Sequence, residues 1–80
     1  MTPPVPVPRE KWEEVILYEI SLLRNGTKFT SKDVRDFARI DGYDLSEARR
    51  QGITRIIDRH FRRVPKARPH DWTVWIKEGQ

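Results

Sequence analysis

Proline and glycine punctuation sets what this 80-residue chain can fold into, because it leaves room only for short elements. Four of the six prolines fall within residues 1–8, Asn25-Gly26 and Gly42 interrupt the middle, and Pro65 and Pro69 bracket a loop near the end. Proline fixes φ and removes an amide donor, and glycine supplies backbone conformations that other residues reach only with strain. Regular structure should therefore begin and stop at these points. The chain has no cysteine, which excludes a disulfide scaffold, a thiol nucleophile and a Cys-based zinc site. A core must come from packing alone, and three Trp, three Phe and two Tyr supply large buried areas for one small domain.

Residues 1–8 read as a flexible proline-rich tail, extended or disordered, with Pro8 suited to the first turn of a helix. The folded domain is expected over residues 9–78. A first helix over 9–24 carries Trp12, Ile16, Ile20 and Leu23 on one face, with Val15, Tyr18 and Leu22 as a second stripe. Glu19 lies between the stripes and should meet a basic partner there. Thr27 to Thr30 is a short extended element, too brief to pair alone. Ser31 is the expected cap of a second helix over 32–40, with Val34, Phe37 and Ala38 facing inward.

Ser46 is the expected cap of a third helix reaching Phe61, buried through Ile53, Ile56, Ile57 and Phe61, with His60 in the same arc. Gly52 interrupts it at a cost of about 1 kcal/mol relative to Ala, which the close approach of another backbone would justify. The period then changes. Trp72 to Lys77 reads as a strand, Phe61 to Val64 as its antiparallel partner, and 65–71 as the connecting loop.

Charge is as segregated as structure. From Arg49 to His70 there are eight Arg or Lys against the single Asp58, a formal +7, whereas residues 1–48 carry −2 and the last ten −1. A field of this sign and density favours a polyanion, and nucleic acid is the expected partner.

The order helix, short strand, helix, turn, helix, β-hairpin, with a short second helix before a basic third one, resembles the winged helix-turn-helix superfamily of DNA-binding domains. The resemblance covers residues 9–78 and implies an α+β fold of three helices with a C-terminal β-hairpin wing. It makes 46–61 the recognition helix and 65–71 the wing. The turn from Ile40 to Leu45 is longer than in the simplest helix-turn-helix.

Such a protein would bind double-stranded DNA, as a small transcriptional regulator with its third helix in the major groove. There Arg55 can pair with guanine and Gln51 with adenine, and Thr54 can contact phosphate or a thymine methyl. Arg49, Arg50 and Arg59 add charge along that helix. Arg62, Lys66, Arg68 and His70 on the hairpin, and Lys28 and Lys32 near the start of the second helix, would hold the backbone or the adjacent minor groove. Trp72 and Trp75 alternate to opposite faces of their strand and are expected to pack against the helices.

Two alternatives belong to other classes: a protein-interaction module on the same fold, or an accessory domain of a larger nucleic-acid-processing complex. A homodimer through Leu17, Tyr18 and Leu22 is a further expectation, since a lone small domain spans few base pairs. No pair of acids has a partner suited to acid–base chemistry and the two histidines lack a ligand set, so no enzyme, cofactor, metal or small-molecule ligand is expected. No apolar run approaches membrane-spanning length, and the expected location is cytoplasmic or nucleoid-associated.

Overall fold

The computed structural model describes residues 3–66, 68 and 72–78, and they form an α+β fold of three short helices and a few two-residue strands. In chain order these are β1 (Val5–Pro6), α1 (Trp12–Ser21), β2 (Lys28–Phe29), α2 (Ser31–Ile40), β3 (Tyr43–Asp44), α3 (Arg49–Asp58) and β4 (Trp75–Ile76). No helix among the described residues is long and apolar enough to cross a membrane.

The proline segment is extended, as its composition requires, but it is docked rather than free. Prolines alternate with Val5 and Val7, so amide donors occur only at those two valines, and both are used. Val5 donates to Gly42 O at 2.9 Å and Val7 to Asp44 O at 3.0 Å, which makes β1 a parallel partner of β3. Val7 is buried in the core, and its carbonyl accepts the Trp12 indole N–H at 2.9 Å. The expectation of a flexible tail is corrected for residues 5–8: proline on one parity of a strand leaves the other parity free to pair.

The first helix is shorter than its periodicity suggests. A 3-10 turn at Arg9–Lys11 precedes α1, and Gly26, at a φ of 87°, reverses the chain behind it. That reversal is tied to the C-terminal strand, since Gly26 N–H donates to Lys77 O at 2.6 Å and Lys77 N–H to Thr27 O at 2.8 Å. The short β2 therefore does not stand alone. It pairs antiparallel with β4, Phe29 opposite Trp75, and the other edge of Trp75 bridges to Arg63. Val64 N–H to Val74 O and Ile76 N–H to Arg62 O complete the expected pairing of Phe61 to Val64 with the last strand.

Thr30, not Ser31, caps α2. Its hydroxyl accepts from Asp33 N–H at 3.2 Å while the Asp33 carboxylate accepts from Thr30 N–H at 3.0 Å, a reciprocal box that satisfies two otherwise orphaned donors. Ser31 lies one residue inside the helix and is buried. Val34 and Ala38 face the core as expected, but Phe37 does not, and is 36% exposed.

The core joins Ile16 and Ile20 of α1, Val34 and Ala38 of α2, and Ile53, Ile56 and Ile57 of α3 to Phe29, Leu45 and Trp75. Trp12, Val15, Leu23 and Phe61 pack against it half-buried. Phe29 lies between two rings, edge-on to Phe61 at 5.7 Å and stacked on Trp75 at 6.0 Å.

Glu19 meets no basic partner among the described residues. It is 2% exposed, its Oε2 atom has no hydrogen-bond partner, and Asp41 at the end of α2 is its ionisable neighbour. Burial and then the Asp41 carboxylate push its pKa from 4.5 up to about 7. The folded chain thus keeps this proton to higher pH than the unfolded chain, and stability falls as pH rises between 4.5 and about 7. Urea titrations across that window should show a loss of up to roughly 3 kcal/mol from this group, and Glu19→Gln should flatten the slope.

Gly52 faces the Trp12 side chain rather than another backbone. A Cβ built there would lie 3.7 Å from the Trp12 ring and 3.9 Å from Ala48 Cβ, which is ordinary contact. Gly52→Ala is expected to fit and to raise the unfolding free energy by about 0.5–1 kcal/mol in chemical denaturation.

Candidate nucleic-acid interface

The basic segment begins at the loop that delivers α3. Asp44 Oδ1 accepts Ser46 N–H at 2.9 Å, and this bond, with Arg39 and Arg35 nearby, holds the Asp44 carboxyl below its ordinary range. Leu45 is buried and pins the loop to the core. Ser46 does not cap α3 as expected. It opens a 3-10 turn, Ser46–Ala48, that ends at Arg49 with a φ of 53° and ψ of 170°. Few residues other than glycine adopt this backbone.

The helix α3 has no side-chain cap and no acid in its first turn. It ends at Asp58, three residues before the expected Phe61, as the chain turns toward the hairpin. Its buried stripe is Ile53, Ile56 and Ile57 as the periodicity requires, while His60 falls outside that stripe and bonds Glu13 Oε1 of α1 at 2.7 Å.

The predicted site residues divide by what surrounds them. Arg49, Arg50, Gln51, Arg55 and Arg59 are all exposed on α3 and its end, and Thr54 is half-buried. Arg50 lies over the Trp72 ring, its guanidinium carbon 4.2 Å from the ring centre. Trp72 is 49% exposed whereas Trp75 is fully buried, so only one of the two tryptophans packs inside as expected. Contact with the face of an indole holds the Arg50 cation in place without neutralising it.

Arg55 and Arg59 border a cleft of about 310 Å³ against the start of α1, shared with Arg9, Trp12, Glu10 and Glu13. Neither arginine makes an ion pair among the described residues. Lys28 on β2 and Lys32 in the first turn of α2 are exposed, as are Lys66 and Arg68 in the loop after Val64. His70 lies outside the described residues.

Two arginines of the segment serve the hairpin itself. Arg62 pairs with Glu78 at 2.6 Å, and Arg63 makes two bonds to Asp58, Nε to Oδ1 at 2.8 Å and Nη2 to Oδ2 at 2.5 Å. Asp58 Oδ1 also accepts the Trp75 indole N–H at 2.8 Å. The Arg63 guanidinium, helped by that indole, holds Asp58 below the usual carboxylate range against the opposing effect of burial. Asp58 therefore joins the end of α3 to both strands of the hairpin. Helical spacing alone puts it opposite the buried stripe of Ile53, Ile56 and Ile57. The signal that could have found it is its isolation: one acid kept within a run of eight cations, five residues before Arg63.

Of the apolar residues expected at a dimer contact, Tyr18 and Leu22 are exposed and Leu17 is half-buried. Tyr18 and Leu22 border separate grooves. Tyr18 faces Val5, Val7 and Tyr43, whereas Leu22 faces Phe37 and Ile40.

Removing the Asp58 acceptor should loosen the hairpin. Asp58→Ala leaves the buried Trp75 indole N–H unpaired and is expected to cost about 1–3 kcal/mol in urea unfolding, with Asp58→Asn milder because it retains an acceptor. No family model matches the chain, and no curated protein and no solved structure matches it significantly.

Proposed function

We propose that this protein is a small winged helix-turn-helix domain that binds duplex DNA, with α3 in the major groove and the hairpin loop on the adjacent backbone or minor groove, acting in transcription regulation. The fold part of this reading rests on element order. Three helices are followed by a hairpin whose second strand, β4, also pairs with the short β2 between α1 and α2.

One observation carries the functional part. The basic segment sorts into two classes: Arg62 and Arg63 are neutralised by Glu78 and Asp58, whereas Arg49, Arg50, Arg55, Arg59 and Lys66 make no ion pair among the described residues and all are exposed. All of these cations are exposed; the two in the hairpin are paired with acids, and those without an ion pair among the described residues cluster on α3 and the loop beside it. Such a cluster repels itself unless an anion covers it. The start of α3 has neither a side-chain cap nor an acid in its first turn, so the positive end of the helix dipole adds to the attraction of Arg49 and Arg50 for a phosphate. The backbone strain retained at Arg49 supports a role for its side chain, since glycine would hold the same φ at less cost.

Duplex affinity measured against salt, together with a binding-site selection, tests the reading. Five neutralised phosphates give a log–log slope near −4 to −5, and a slope shallower than about −2 would remove the basic face from the interface. Arg55→Ala is expected to cost about 1–3 kcal/mol on the selected site and to relax base preference, while Lys66→Ala weakens all duplexes alike. Equal losses on selected and random duplexes for Arg55→Ala would refute its reading role.

A further inference from the structure

The C-terminal ends of α1 and α2 converge on a groove of about 200 Å³ that shares no residue with the basic face. Three large apolar side chains form its rim: Ile40 at 81% exposed, Leu22 at 59% and Phe37 at 36%. Its floor is the buried Glu19, whose Oε2 atom lacks a hydrogen-bond partner, with the exposed Asp41 beside it. An apolar patch of this kind invites contact. Glu19 stands against the Asp41 carboxyl with no counter-charge among the described residues, so the pair holds a proton that a cation entering the groove would displace.

We propose that this groove is a protein-docking site that receives an arginine side chain from an apolar segment of a partner protein. The occupant follows from the groove's chemistry. Its volume is below that of ordinary small-molecule pockets and suits a single long side chain. Apolar walls accept the methylene stem, and two adjacent carboxylates match the planar, forked guanidinium head. Two acids would repel phosphate, so nucleic acid is the wrong occupant. The apolar flanks of the partner segment would cover Ile40, Leu22 and Phe37. The inference goes beyond DNA binding and does not depend on it.

The test uses the full chain, isotopically labelled for amide NMR, titrated with acetyl-Leu-Arg-Leu-amide. The neutral control replaces arginine by citrulline, which keeps the shape and removes the charge. Saturable shifts at Glu19, Leu22, Phe37, Ile40 and Asp41 are expected with the arginine peptide, and binding roughly tenfold or more weaker with citrulline. Asp41→Asn and Ile40→Ser should each weaken the arginine peptide by about tenfold. Both positions are exposed and tolerate change without loss of fold. Duplex DNA affinity of Ile40→Ser should match wild type, which separates failure here from failure of the DNA reading. The proposal is overturned by equal affinity for both peptides, by shifts confined to α3, or by no shift at tens of millimolar peptide. It is equally overturned if the chain doubles its mass through this groove in a way that Ile40→Ser abolishes, since the occupant is then a second copy.

Discussion

The bond from the Trp75 indole to Asp58 is the contact on which the rest of the arrangement depends. Trp75 is completely buried, and a buried indole N–H must find an acceptor. The one it finds is the last residue of α3, which also holds Arg63. The same tryptophan has Phe29 of β2 as its partner on one side and Arg63 on the other. One side chain thus fixes the third helix, the hairpin and the strand between the first two helices in a single frame. The direction in which α3 presents its arginines follows from that frame, because the helix has no side-chain cap of its own to set its entry.

The opposite end of the domain is held by a different device. With few amide donors among its prolines, the N-terminal segment donates only two backbone bonds over residues 3–8, one to Gly42 just before β3 and one to Asp44 in β3. Val7 then enters the core, and its carbonyl holds the Trp12 ring, whose far edge packs on Gly52 of α3. The arm, α1 and α3 are linked in this way without a long strand or a disulfide. In a small chain with a limited core, a docked proline arm adds apolar burial at low entropic cost, since proline-rich backbone has little freedom to lose.

Charge is distributed by the same logic. Asp58 and Glu78 neutralise the two exposed arginines of the hairpin, and the arginines on α3 keep their field. Glu19 is the exception within the body of the domain, a carboxyl buried against another acid with no ion pair among the described residues. That local conflict between levels is the kind of departure from consistency that marks sites kept for a purpose other than stability.

Periodicity and punctuation alone determined three helices, the terminal hairpin, the buried stripes of α1 and α3 and the segregation of charge. These are local properties: helical spacing, breaker positions and the count of cations in a window depend on near neighbours in the chain. Tertiary structure decided everything set by residues far apart in sequence. It chose Trp75 over Trp72 for the interior, paired Asp58 with Trp75, docked Val5 and Val7 against Gly42 and Asp44, and turned Phe37 outward. It also left Glu19 facing Asp41, because helix ends that approach from distant parts of the chain bring together charges that no helical wheel relates. Which arginines remain available to an anion was decided in the same way, by partners supplied from other elements and not by the spacing of the arginines themselves.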